Sequence, residues 1–473
     1  MQFPHNRELL VNEAGEYIFV PTGTAAKIVN RQLQPSSMLY ASLKAKQFIY
    51  DEASSAHLDL LATKVRTKHE FLDGGTKLHI FVVTLRCDHS CHYCQVSRQT
   101  TSRTEYDMSV ATADRSVELM MDSPGRDITL ELQGGEATMA FDIVQHIVNK
   151  AEQLAAERDK NLTLVLTTNL ANLTDEMLCY LKDHRIKVST SLDGPQFIHN
   201  ANRPRPGNDS HQLTINNIER CREALGYESV AALMTTTQLS LQHPIEIIDE
   251  YVERRFHSIF LRPISPYGFA IKSKHRTGYE MDVFLEFYKK GLGHILKINK
   301  RGYHLIEVYT KLLLTKMLTP YGTGFVDLQS PAGAGWNVLV YNYDGTVYVS
   351  DESRMLAEMK DFTFRLGNVH EHSRRDLLTN DTFVELQLAS CNQSLPGCSD
   401  CAFQTYCGSD PIFNHATQGD MFGIRPTSAF CRRNMETIKH LFNLIAENNP
   451  ETMRIFWSWL TDRDVKESAE EMA

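Results

Sequence analysis

Residues 78–94 read LHIFVVTLRCDHSCHYC, an apolar, β-branched run that ends in three cysteines. Leu78–Leu85 has the composition of a buried strand, and Cys87, Cys91 and Cys94 form a C-x3-C-x2-C loop directly after it. A loop leaving a strand end can turn three thiolates onto one centre. Three ligands on four irons leave one iron open to a substrate or cofactor, whereas a fully ligated cluster only carries electrons. Zinc is the alternative. Zinc ribbons, however, present paired C-x2-C knuckles, and only His89 and His92 stand near this loop as further ligands.

Outward from this strand, residues 75 to about 270 alternate β-rich and helical segments. The predicted strands are Leu78–Leu85, Ile128–Leu132, Leu162–Thr168, Lys187–Leu192, Val230–Thr236 and Ile259–Arg262. Between them, Val110–Met121, Phe141–Glu157, Asp175–Asp183, Thr214–Leu225 and Pro244–Phe256 carry apolar residues at helical spacing. Six such units predict an α/β fold, a partial (β/α)6 barrel with a parallel sheet and its chemistry at the C-terminal strand ends. Residues 1–74 read as a separate α+β module, with a hairpin in Glu8–Pro21 and helices after it. The barrel and its following helices take 75–320. A cysteine-bearing domain takes 321–435, opening on a Gly/Pro-rich break and a hairpin (Val338–Tyr341, Val347–Val349), and a closing helix with an acidic tail takes 436–473.

Composition excludes several classes. Hydrophobic residues make up 42 % and charged residues 23 % of the 473 residues, ordinary globular values. A net charge of −9 argues against a basic nucleic-acid surface. No apolar run approaches the roughly 18 residues a membrane span needs, and the N-terminus lacks a signal peptide, so a cytoplasmic protein is expected, with neither membrane nor nucleic acid as partner. Eight of the ten cysteines cluster, three within 87–94 and five within 391–431. In a large cytosolic chain that pattern reads as metal or cluster ligation rather than as disulfides.

Other strand ends add polar groups. Gln133-Gly134-Gly135-Glu136 follows the second strand, where paired glycines would let backbone carbonyls approach a ligand ammonium and Glu136 would add charge. A tight turn is the alternative. Thr168-Asn169 ends the third strand, as ribose contacts or as ordinary turn chemistry. Ser191-Leu192-Asp193-Gly194-Pro195 ends the fourth, with Arg203 beyond it. Met234, after the fifth, offers backbone contacts or a core side chain.

With these motifs the chain resembles the radical S-adenosylmethionine (SAM) superfamily, whose signature is the C-x3-C-x2-C loop after the first strand with an aromatic residue, here Tyr93, before the third cysteine. The resemblance implies that SAM chelates the open iron of a [4Fe-4S] cluster, that an external donor supplies an electron, and that a 5′-deoxyadenosyl radical abstracts a substrate hydrogen. It makes Gln133, Gly134, Gly135 and Glu136 the amino-group site, Thr168 and Asn169 ribose contacts, Ser191 and Arg203 ribose and carboxylate contacts, and Met234 an adenine contact.

Cys398-x2-Cys401-x5-Cys407 and then Cys431 are similar to part of the SPASM domain, an auxiliary-cluster module fused to radical SAM barrels that act on ribosomal peptides and proteins. Four thiolates would close one auxiliary [4Fe-4S] cluster; a structural zinc is the alternative by spacing. Ala332, Ser350 and Pro411 stand where a second auxiliary cluster would need cysteines, so one auxiliary cluster is expected, with Cys391 a replacement ligand or a free thiol. Asp351 lies where sulfatase-maturing relatives carry a general base.

The phrasing of LLVNEAGEYIFVP, ELQGGE, TSLDGP and YNYDGTVYVSDESRM is most similar to the maturases of His-Xaa-Ser repeat systems, HxsB. That resemblance implies a ribosomal precursor peptide as substrate, a paired second radical SAM protein, and a peptide-docking N-terminal module. The expected outcome is oxidative crosslinking. Formylglycine formation of the anaerobic sulfatase-maturase kind and a non-catalytic precursor-binding subunit are the alternatives.

Overall fold

Strand β4 (Leu78–Thr84) is buried from His79 onward, as an unbroken apolar run requires when both faces are covered. In this computed structural model, which describes residues 1–463 other than 51–53, 95, 97, 100–101 and 273–276, β4 is the axis of the sheet. The acidic tail at 464–473 lies outside the described residues.

Five parallel strands run from β4 through β5 (Asp127–Gly134), β6 (Asn161–Thr167) and β7 (Lys187–Ser191) to β8 (Val230–Leu233). The register places Phe81 beside Leu132, Leu132 beside Leu166 and Val188 beside Val230. The helices between them follow the apolar spacing. Phe141–Glu157 buries Ile143, Val144, Ile147, Val148, Ala151 and Leu154 on one stripe. Ser109 and Thr174 start two others by accepting from the amides of Thr112 and Met177.

The sixth unit departs from expectation. Ile259–Arg262 does not join the sheet; β9 (Ser258–Ile259) instead pairs in parallel with β10 (Ile306–Glu307). Leu261 donates its amide to Glu307 Oε1 at 3.1 Å, and Pro263 and Pro266 have no N–H to offer a ladder. One backbone bond, Thr236 N to Arg262 O at 2.9 Å, still ties this segment to the end of the fifth unit.

The hairpin at β11 (Val338–Tyr341) and β12 (Thr346–Tyr348), with β13 (Arg365–Asn368), continues the barrel sheet. β11 lies parallel to β4 with Val340 beside Ile80, so the order is β13-β12-β11-β4-β5-β6-β7-β8. The cysteine-bearing segment is thereby fixed to the barrel at the strand that feeds the first cysteine loop.

At the N-terminus, β1 (Gln2–Phe3), β2 (Arg7–Val11) and β3 (Tyr17–Pro21) form an antiparallel sheet. Phe3, Tyr17 and Phe19 pack edge-on around Phe442, which lies in the helix Ala429–Glu447. A further helix, Pro450–Thr461, follows a break at Asn448 in the left-handed region and buries Phe456 and Trp459. No helix of the described residues is long and apolar enough to cross a membrane.

Candidate active site

The C-terminal ends of β4–β8 open into one cavity of about 600 Å³. Cys87, Cys91, Cys94 and Tyr93 line it from the loop after β4. Gln133, Gly134 and Gly135 line it from β5, Thr168 and Asn169 from β6, and Ser191 and Arg203 from β7 and the helix after it. The glycine pair is demanded by close approach: a Cβ on Gly134 would lie 2.1 Å from Thr84 O, and one on Gly135 2.3 Å from Arg86 O. With no side chain there, Gly135 N and Glu136 N donate to Thr84 O and Arg86 O, both at 2.8 Å, so the end of β5 is stitched to the backbone entering the cysteine loop.

Two expected residues keep their side chains out of the cavity lining. The Glu136 side chain is 1 % exposed and does not line the cavity. Its Oε1 accepts from Thr138 N, Thr138 Oγ1 and Thr168 Oγ1, and its Oε2 from Asn169 N at 2.7 Å. Burial raises its carboxyl pKa above the ordinary value against these donors. Glu136 thereby fixes the end of β6. The Met234 side chain is fully buried in the core, and its neighbours Leu233 and Thr235 form the wall.

Asp193, given no role in the sequence reading, is fully buried and gathers Tyr93 Oη at 2.6 Å, Arg203 Nε at 3.1 Å and Thr235 N at 3.2 Å. Arg203 also lies over the Tyr93 ring, its guanidinium carbon 5.3 Å from the centroid. This knot joins the cysteine loop to the ends of β7 and β8. A second connection runs behind the loop: Asp88 Oδ1 faces Asn169 Nδ2 at 2.8 Å and His89 Nδ1 at 2.9 Å, and the other His89 nitrogen and His199 both meet Ser210 Oγ. Cys87, Asp88 and His89 bring their ligand atoms within 4.8 Å of one another, a proximity that the hydrogen bonds of Asp88 and His89 account for.

The part of the cavity lined by residues after the barrel strands is acidic. Asp351 and Glu352 open the helix Asp351–Glu358, which Ser350 caps by accepting from Ser353 N, and Arg354 Nε donates to Asp351 Oδ1 at 3.2 Å. Asp327 and Asp410 line the same space, as do Arg262 and Arg433. Burial, with Asp327 and Asp351 nearby, pushes the Glu352 carboxyl up to about 7. The carboxyls of Asp327 and Asp410 are likewise raised, first by burial. Of this wall, the sequence singled out only Asp351; Glu352 and Asp410 stand beside named residues without a role of their own, and Asp327 lies in a segment without a spacing signal.

Cys398, Cys401, Cys407 and Cys431 form a separate group. Burial and then the neighbouring Cys407, Cys398 and Cys401 push the Cys431 thiol up to about 11, whereas burial alone raises Cys391. Donors aim at the sulfurs: Arg425 Nε to Cys398 Sγ at 3.1 Å, Phe403 N to Cys401 Sγ at 3.4 Å, and Asn434 Nδ2 to Cys407 Sγ at 3.4 Å. Such donors suit thiolate ligands of an iron–sulfur cluster. Asn434 Oδ1 in turn accepts from Tyr309 Oη at 2.5 Å, and Tyr309 lines the large cavity.

The sequence profile of the radical SAM superfamily matches residues 81–251. The chain is 22 % identical over 320 residues to the cysteine-type anaerobic sulfatase-maturating enzyme of Clostridium perfringens, covering 63 % of this chain and 80 % of that protein. Among solved structures, anSMEcpe with bound AdoMet superposes with a TM-score of 0.64 at 18 % identity, over 79 % of this chain and 98 % of that one. Streptococcus suis SuiB bound to precursor peptide SuiA gives 0.54 at 14 % identity, over 89 % and 96 %. At these identities the two structures speak for the fold.

Proposed function

We propose that this enzyme, whose residues 81–251 form a radical SAM domain, modifies a ribosomally made precursor peptide by net oxidation in the cytoplasm. The observation that carries the reading is the cavity that Cys87, Cys91 and Cys94 line together with Asp351 and the strand ends. That SuiB was solved with a precursor peptide, and anSMEcpe with the Cp18Cys peptide, supports a peptide as the substrate class.

When bound on Cys87, Cys91 and Cys94, a [4Fe-4S] cluster with SAM at its open iron supplies a 5′-deoxyadenosyl radical that can abstract a substrate hydrogen. The residues fit that group. Burial pushes the Cys91 thiol up to about 12, so this sulfur ionises only beside a compensating cation such as iron. Gly134, Gly135, Thr168, Asn169 and Ser191 border the space a SAM molecule would take. Arg203, steadied by Asp193 through one edge, keeps further N–H donors for a carboxylate. Arg354 holds Asp351 Oδ1, leaving Oδ2 to accept a substrate proton.

Cys398, Cys401, Cys407 and Cys431 would hold one closed auxiliary [4Fe-4S] cluster, a group that carries electrons and so favours net oxidation over epimerisation. The positions where a second auxiliary cluster would need cysteine are otherwise engaged. Ser350 caps a helix, Ala332 is buried and donates its amide to Ser390 Oγ, and Pro411 begins the helix Pro411–Gln418. These substitutions support crosslinking by a His-Xaa-Ser-type maturase, HxsB, over formylglycine formation. The likeness to the sulfatase-maturating enzyme favours the latter as a second reading. The N-terminal sheet, with β3 at its edge, supports leader-peptide docking by strand addition.

Anaerobic reconstitution tests the enzyme reading. Reductant-dependent release of 5′-deoxyadenosine from SAM is the expected result, abolished by Cys91→Ala. Zinc in place of iron, or no cleavage under strong reduction, contradicts it.

A further inference from the structure

Tyr267 is 1 % exposed, lines the large cavity, and its hydroxyl has no hydrogen-bond partner among the described residues. A buried phenol normally finds a partner. After burial, the charges that act on this one are those of Asp410, Glu352 and Asp327, with Arg433 opposing them. Asp327, Glu352 and Asp410 thus line the same cavity as a hydroxyl that bonds to none of them.

The chemistry of that gap is specific. Carboxylates accept, and a hydroxyl can accept as well as donate, so the group that completes the site is one with several N–H donors and a positive charge. The arginines in the same wall supply it only in part, Arg433 acting on Asp327 and Asp410 and Arg262 on Asp327 and Glu352. Arg433 is held against the rings of Tyr309 and Phe430, 5.3 and 4.9 Å from their centroids, and Arg262 is shared with Glu131 on β5. Three carboxylates at Tyr267, with Glu131 beyond them, outnumber these two cations. One added cation improves the balance of a desolvated site where an unpaired charge is costly.

We propose that Asp327, Glu352 and Asp410, together with the Tyr267 hydroxyl, form a recognition pocket for a lysine or arginine side chain of the substrate. The pocket rests on the reading that the substrate is a peptide. It places a basic residue of that peptide in the cavity that the cysteine loop also lines, so that a neighbouring residue is presented for modification.

The test uses the reconstituted, SAM-loaded full chain and two small probes, Nα-acetyl-L-lysine amide and the uncharged Nα-acetyl-L-norleucine amide, in calorimetric titrations. The lysine probe is expected to bind at least about tenfold tighter than norleucine. Tyr267→Phe should weaken the lysine probe by about threefold to tenfold, the range of one hydrogen bond, and leave SAM affinity unchanged. Asp410→Asn keeps the cap on Phe413 N and is therefore expected to fold. Combined with Glu352→Gln, it should erase the preference for lysine. Equal affinity for the two probes overturns the pocket, as does displacement of the lysine probe by millimolar Mg²⁺, which would mark a metal site. Because binding is read without turnover, a lysine preference in a protein that fails to cleave SAM would refute the proposed function and leave the pocket standing.

Discussion

At Asp193 a fully buried carboxylate survives because Tyr93, Arg203 and the Thr235 amide hold it, and removing the cation exposes the cost. Arg203→Ala is expected to destabilise the fold by about 3 kcal/mol, measured by urea unfolding, because the remaining donors do not replace a buried counter-charge. Glu352 behaves in the opposite sense. Its carboxyl stands at about 7 in the folded chain against an ordinary 4.5. Between those values the folded state holds more protons than the unfolded one, so this group's contribution to stability falls as pH rises through that window. Glu352→Gln should flatten the pH dependence between about pH 4.5 and 7 and leave the protein roughly 2 kcal/mol more stable than the parent at pH 8. Unfolding midpoints at pH 5 and pH 8 check both statements. Individual residues were legible in the sequence where a motif named them, as with the cysteines, Ser191 and Arg203. Asp193 stood inside a quoted motif, yet its role arises from partners about 10, 42 and 100 positions away, which no spacing shows.

Elements were easier to foresee when one periodicity acted alone. Phe141–Glu157 and Asp175–Asp183 fold over the expected residues because each buries a single apolar stripe. Ile259–Arg262 misled because a short apolar run, Ile259 to Leu261, reads as a strand, while the Leu261 amide finds Glu307 and the prolines after it refuse a ladder. The hairpin was visible as a hairpin; its place beside β4 was not, since parallel pairing across some 260 residues leaves no local mark. The tight join between β5 and the cysteine loop gives an element-scale prediction. Gly135→Ala puts a methyl against Arg86 O and Leu85 O and is expected to cost about 2–3 kcal/mol. Iron bound by the first cysteine set should fall with it, as thermal unfolding and iron analysis of the same sample would show.

On the scale of the molecule, the cavity is a joint product of the barrel and the segment from Asp327 to Arg433. Its acidic wall is assembled from three separate segments, at Asp327, at Asp351 and Glu352, and at Asp410, which is why the sequence revealed the cysteines and only Asp351 among the acids. The N-terminal module is tied to the same body through Phe442, around which Phe3, Tyr17, Phe19, Phe403 and Tyr406 pack. Phe442→Ala should cost about 3–5 kcal/mol and make residues 1–21 more sensitive to limited proteolysis. The proposed chemistry depends on two cysteine sets holding two distinct clusters, one open and one closed. Iron counting on anaerobically reconstituted protein tests it most directly. The account predicts about eight irons in the parent chain and about four when Cys87, Cys91 and Cys94 are all alanine, with SAM cleavage lost. About eight irons remaining in that variant, or zinc in either set, would contradict it.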